Sequence, residues 1–222
     1  MTYDPSLRLH APVRAEHNAK AGQRAKVVAR LGVGGLGQDA EFDAFAAQTA
    51  AAFAAELGPV AQGLYAMANL VTDRQVFIGL HSPHGQRPAP RTMRLDQGWC
   101  PDVVDRGLAL VLPDVLAWRG FSGNPAVESE IGIRAYAGAP VAEQSTGTVF
   151  GTVCVIGPRE LPDATATVSH ALIKARAAQL AALIEERTGH AITGAPAPPP
   201  GWPASRAPGA AEKGQELDPA SG

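Results

Sequence analysis

Phe42, Phe45, Thr49, Phe53 and Leu57 recur at intervals of three and four residues. That spacing places them on one face and predicts a helix over 40–57. Asp39 stands at its N-cap position. Glu41 and Asp43 fall in the first turn, where negative charge suits the helix dipole, and Gly58-Pro59 ends the pattern. The period then shortens. Two apolar runs, Tyr65 to Val71 and Gln75 to Leu80, flank Thr72-Asp73-Arg74 and read as a β-hairpin. His81 to Arg91 holds three prolines and a glycine, so it is a loop. Cys100 to Val104 reads as a short helix, and Leu108 to Leu112 as a buried strand stopped by Pro113-Asp114. Leu116 to Asn124 is irregular, and Pro125 to Gly132 is read as one or two helical turns opened by proline. Arg134 to Val141 and Val149 to Ile156 are two further strands, joined by the polar segment 143–147. A long helix runs from Asp163 to Thr188, with Val168, Leu172, Ala175, Leu180, Leu183 and Ile184 as its expected apolar side.

Sequential hairpins between flanking helices define an α+β chain with a central antiparallel sheet. Residues 39–188 form the expected domain. The arm before it, 1–38, carries six basic residues against two acidic ones, a net +4. It is read as partly helical over 14–31, with Val27, Val28 and Leu31 as a short apolar patch. Packing on the domain or on a second copy is preferred to capture of an acidic partner. Residues 189–222 are rich in Pro, Ala and Gly and read as a disordered tail, in which Trp202 is a passenger.

Composition narrows the function classes. The 222 residues are 45% hydrophobic and 18% charged, with a formal net charge of -2. Nothing in that balance points to nucleic acid or an anionic membrane. The opening residues lack the apolar segment of a signal peptide, and no long apolar run predicts a membrane span. A cytoplasmic protein is expected. Cys100 and Cys154 show no CxxC or Cys/His spacing, so two reduced thiols and no metal or cofactor are expected. His81 and His84 lack supporting ligands. Gly32, Gly34 and Gly37 spell a GxGxxG-like run, but no strand precedes it and a hinge is the better reading.

From Gly98 to Gly157 the chain carries several motifs in one order: Trp99-Cys100, Leu-Ala-Leu-Val-Leu-Pro-Asp ending at Asp114, and Phe121-x-x-Asn124-Pro125. Gly132-Ile-Arg134-x-Tyr136-x-Gly138-x-Pro140 and Gly151-Thr-x-Cys154-Val-Ile156 follow. This series resembles the GAF domain family of bacterial sensor proteins, a fold related to PAS domains. The resemblance implies a central antiparallel sheet with terminal helices on one face and a pocket between the other face and crossing loops. Pro140 lacks an N–H, so its strand must be at an edge or bulged there.

The specialised branches of the family each lack a residue here. Bilin attachment uses a Cys followed by His, and Cys100 is followed by Pro101. The cyclic-nucleotide signature needs an Asn-Lys pair, and haem needs an axial His within 98–157; neither occurs. Free methionine-R-sulfoxide reductases use a second cysteine in the loop before the fourth core strand, and 118–131 has none. Cys100 is therefore left without a visible resolving partner, and packing is its preferred role.

The remaining contact candidates are Cys100, Asp114, Phe121, Asn124, Arg134 and Tyr136. Phe121 and Tyr136 can wall a pocket. Arg134 offers a fork for a carboxylate or phosphate, unless it pairs with Glu128 or Glu130. Asp114 and Asn124 supply polar contacts or cap turns. The expected function is a non-catalytic sensory or regulatory module that binds a small molecule or a signalling protein in this cleft. No kinase, cyclase or DNA-binding motif is present, so its signal is expected to pass through association, with a homodimer paired through the terminal helices. The alternatives are a thiol-based redox enzyme or sensor using Cys100, and a scaffold whose pocket is filled by its own side chains.

Overall fold

The computed structural model describes residues 11–35 and 39–194. Four helices are present among them: α1 (Ala11–Leu31), α2 (Ala40–Leu57), α3 (Cys100–Arg106) and α4 (Ala166–Thr188). The strands are β1 (Tyr65–Val71), β2 (Gln75–His81), β3 (Thr92–Met93), β4 (Leu110–Leu112), β5 (Ala135–Glu143), β6 (Val149–Gly157) and β7 (Ile192–Gly194). They form one antiparallel sheet in the order β3-β2-β1-β6-β5-β4, with β7 also pairing β5. Helix α2 has the bounds its pattern predicts. Asp39 caps it, accepting from the N–H groups of Glu41 and Phe42.

Every residue of β1 and β5 is buried. Alternate side chains serve two different cores, because successive Cβ atoms point to opposite faces. On one face Ala66, Ala68, Leu70, Ala137, Ala139, Val153 and Val155 pack with Phe42, Phe53, Ile173, Leu180 and Ile184 of α2 and α4, and with Val27, Val28 and Leu31 of α1. On the other, Tyr65, Met67, Tyr136, Cys154 and Ile156 pack with Trp99, Cys100, Val103, Val104 and the segment around Val115 and Ala126.

The arm is thus part of the first core. Its basic groups also meet the domain's own carboxylates: Arg24 reaches Asp105 at 3.4 Å, and Arg30 pairs with Glu143. Arg24 is buried, which lowers its pKa, and Asp105 partly offsets that cost.

Two sequence expectations change. The buried stripe of α4 is Ser169, Ile173, Ala177, Leu180, Ala181 and Ile184. Val168 is exposed, as is Ala175, and Leu172 is half-buried. Small residues made two faces of this helix equally plausible, and the sheet selected the one that docks closest. The tail reading also fails at its start, since Ile192–Gly194 form β7 against Val141–Glu143. The rest of that tail, including Trp202, and residues 36–38 of the glycine run lie outside the described residues. The expectation that Pro140 lies at an edge or a bulge is met, although its strand has neighbours on both sides. The register resolves this: β4 covers Tyr136–Gly138 and β7 covers Val141–Glu143, so Pro140 falls between them.

Helix α2 lies so close to β2 that a Cβ on Gly79 would stand 2.3 Å from the Phe42 carbonyl oxygen. Elsewhere Ala in place of Gly in a strand gains stability through backbone entropy. Here the sign reverses. Gly79→Ala is expected to lower unfolding free energy by about 1–3 kcal/mol, measured by urea denaturation. A neutral or stabilising result would mean that α2 docks less closely.

Candidate functional site

The second core occupies the position where the resemblance placed a pocket. Its floor is the sheet face bearing Met67, Phe77, Tyr136, Cys154 and Ile156, and its roof is Gly98, Trp99, Cys100 and Ile133. Gly98, with φ +71°, turns the chain into α3, and Pro101 suits the first turn of that helix. The roof is held by Asn124. Its Oδ1 accepts from the Gly98 N–H at 2.8 Å, its Nδ2 donates to the Gly98 carbonyl at 2.7 Å, and Oδ1 also accepts from the Ala126 N–H at 3.0 Å.

Tyr136 fills the middle. Its ring lies over Gly138, where a Cβ would meet the hydroxyl at 2.1 Å. Trp99 stacks obliquely on it, with ring centroids 5.4 Å apart. The space left among these side chains is about 20 Å³, the room of one water. Larger hollows, such as one of about 390 Å³ between α1 and the β5–β6 turn, are open to solvent and lie outside this core.

The sulfur atoms are the chemical feature of this layer. Cys100 Sγ lies 3.5 Å from Cys154 Sγ and 3.5 Å from the Tyr136 hydroxyl, which donates to it. Cys154 Sγ is 3.8 Å from Met67 Sδ. Both cysteines are free and buried. The Cys154 thiol, hydrogen-bonded to Cys100, draws the Cys100 thiol down to about 7 against the upward push of burial. The Tyr136 hydroxyl acts the same way. So do the Thr152 and Asn69 side chains, although Thr152 Oγ1 has no partner at hydrogen-bond distance. Cys154 is pushed up by the same hydrogen bond and by burial, so the two titrate as a pair. Burial raises the Tyr136 hydroxyl well above its ordinary range, with the thiols adding to it. Tyr136 therefore stays a donor.

The remaining sequence candidates stand elsewhere or act structurally. Asp114 caps the turn Val115–Ala117 and pairs with Arg134 at 3.1 Å. Arg134 also reaches Glu160 at 3.3 Å, not Glu128 or Glu130; Glu130 pairs with Arg87 at 2.6 Å instead. This ion-paired rim is separate from the thiols. Phe121 is half-buried and packs against the second core without lining the void, with the Arg106 guanidinium 5.7 Å from its ring centre. Of the six candidates, the structure brings together Cys100 and Tyr136, with Asn124 holding the roof above them.

Cys154 is the chemically reactive group whose place the sequence did not reveal. It reads as a strand residue, and Cys100 as a thiol without a partner. The structure corrects this, because β1–β6 pairing sets Cys154 opposite Met67 on the cleft face, beneath the start of α3. Its parity with Ile156 was visible in the sequence; the helix above it was not. Trp99 Nε1, Asn69 Oδ1 and Thr152 Oγ1 are also buried here without hydrogen-bond partners.

The described architecture is that of a GAF domain: an antiparallel sheet, terminal helices on one face, and a looped layer with a short helix on the other. The GAF domain family model matches residues 42–184. The chain belongs to the GAF domain family. Solved structures similar to this chain include the GAF domain of an Acinetobacter phosphoenolpyruvate-protein phosphotransferase, with 14% identity and a TM-score of 0.47, covering 80% of this chain and 95% of that one. A putative GAF sensor protein from Burkholderia vietnamiensis shows 20% identity and a TM-score of 0.42, covering 80% and 94%. The free methionine-R-sulfoxide reductase of Neisseria meningitidis, in complex with its substrate, shows 19% identity and a TM-score of 0.43, covering 79% and 89%. No curated protein matches the chain in sequence. Among the described residues no helix is long and apolar enough to cross a membrane.

Two outcomes are expected. Asn124→Ala removes three buried hydrogen bonds and should lower stability by about 3 kcal/mol, seen as a fall in the urea midpoint. Thiolate absorbance should titrate with an apparent pKa near 7 that Cys100→Ser abolishes and Tyr136→Phe moves upward. An unshifted Tyr136→Phe titration would remove the hydroxyl from the account.

Proposed function

We infer that this chain is a non-catalytic regulatory GAF module that acts through protein association, its inner cleft closed by its own side chains in the state described. The observation that carries this reading is the volume beside Tyr136. A drug-sized ligand needs a pocket of roughly 300–1,000 Å³, and about 20 Å³ is open there. A small-molecule signal would have to displace Tyr136 and Trp99, and the Gly98–Asn124 hydrogen bonds hold the roof against that. Association is then the more direct route for a signal, and a second copy of the chain is its first partner. Terminal helices α1 and α4 supply surfaces that pair naturally about a two-fold axis.

A thiol-based redox role is the second reading, favoured by one observation. The partner thiol that Cys100 needs lies 3.5 Å away. Sedimentation at high protein concentration, combined with native mass spectrometry, separates the possibilities. The regulatory reading expects a dimer carrying no small molecule. A strictly monomeric profile would count against it. Turnover of free methionine sulfoxide with a thiol donor would replace it by the enzymatic reading.

A further inference from the structure

Two thiols from distant parts of the chain meet inside this core, separated by 54 residues in sequence. We propose that Cys100 and Cys154 form an oxidisable dithiol site that takes a small, uncharged hydroperoxide as co-reactant and closes to an intramolecular disulfide. The proposal rests on the thiol reading of the site and stands whether or not methionine sulfoxide is turned over.

Geometry supplies the first argument. A disulfide has a sulfur–sulfur bond of about 2.0 Å, so the pair at 3.5 Å must close by a modest displacement. Cys154 is fixed within β6, between β1 and β5. Cys100 is the first residue of the short helix α3, just after the turn at Gly98. The movement therefore falls on the roof rather than on the sheet.

Size supplies the second. The void of about 20 Å³ is lined by both cysteines, Tyr136, Trp99 and Met67. It admits a molecule near the size of water and excludes a peptide-sized disulfide such as oxidised glutathione. Apolar walls and burial also disfavour a charged oxidant. Donors supply the third. The Tyr136 hydroxyl donates to Cys100 Sγ, and Cys154 Sγ lies 3.5 Å from it as a second hydrogen-bonding partner; both favour the Cys100 thiolate, which is the nucleophilic form.

The chemistry balances with hydrogen peroxide as the oxidant. The Cys100 thiolate attacks one peroxide oxygen, and the O–O bond breaks. The departing hydroxide takes up the proton that Cys100 released and leaves as water. Cys100 is then a sulfenic acid. The Cys154 sulfur attacks the Cys100 sulfur, the S–O bond breaks, and the leaving oxygen departs as a second water with the Cys154 proton. Two thiols are oxidised by two electrons, and one peroxide is reduced to two waters. Tyr136 loses its thiolate acceptor in the product, and Trp99, stacked on its ring, would report the change in fluorescence.

The test uses the full chain under native conditions. Hydrogen peroxide should remove two hydrogen masses per chain, change Trp fluorescence, and yield one linked peptide pair containing Cys100 and Cys154. Oxidised glutathione should leave both thiols free in native buffer and react after denaturation. Cys154→Ser should stop at a Cys100 sulfenic acid, read as one added oxygen mass on the intact chain, and Cys100→Ser should leave Cys154 unmodified. The native and denatured comparison on the unsubstituted chain needs neither variant to fold. Peroxide oxidation that occurs only after denaturation, disulfides solely between chains, or equal reactivity toward oxidised glutathione would each overturn the proposal.

Discussion

The fold depends on covering both faces of β1, β6 and β5. Their side chains alternate between two apolar sets, so neither face can be left in water. One cover is made by α1, α2 and α4, which present Phe42, Phe53, Ile173 and Leu180 to small residues on the strands. The other is irregular: α3, the turn at Val115–Ala117 and the segment 121–133. Roughly 25 cal/mol per Å² of apolar area removed from water makes each cover strongly favourable. The second core is therefore a packed layer the sheet needs.

That packing role explains the character of the site. A layer of loops buries polar backbone, which must be hydrogen-bonded. Asn124 meets this demand by tying Gly98 to the turn that starts at Pro125. With the roof held, Trp99 and Tyr136 are driven against the strands and take up the volume. The sulfurs, soft and nearly apolar when protonated, fit the same layer as packing groups. Their contact arises from this packing. It nevertheless places two thiols and a hydroxyl within reach of one another, which gives a packing layer the parts for redox chemistry.

Legibility differed between elements for physical reasons. Helix α2 was readable to the residue because Phe42, Phe45 and Phe53 define a single stripe and Asp39 marks its start. The hairpins were equally clear, since apolar runs were broken by short polar turns. In α4 the stripe was misplaced, because alanines dilute the pattern and let Val168 and Leu172 stand in for Ser169 and Ile173. Strand β7 was missed because a three-residue strand in a glycine- and proline-rich context has almost no periodicity. Ion pairing was wrong for Arg134, whose real partners, Asp114 and Glu160, come from separate loops.

The sequence by itself determined the class of fold, the order of its elements, and the family, because local periodicity and spaced motifs are written along the chain. It also named Cys100 and Tyr136 among the candidates for the cleft. Tertiary structure alone decided that the cleft is filled and that Cys154 stands beneath Cys100. Volume and thiol contact depend on which residues of non-adjacent elements share a layer. That sharing is set by strand register and helix docking, to which the one-dimensional pattern is blind.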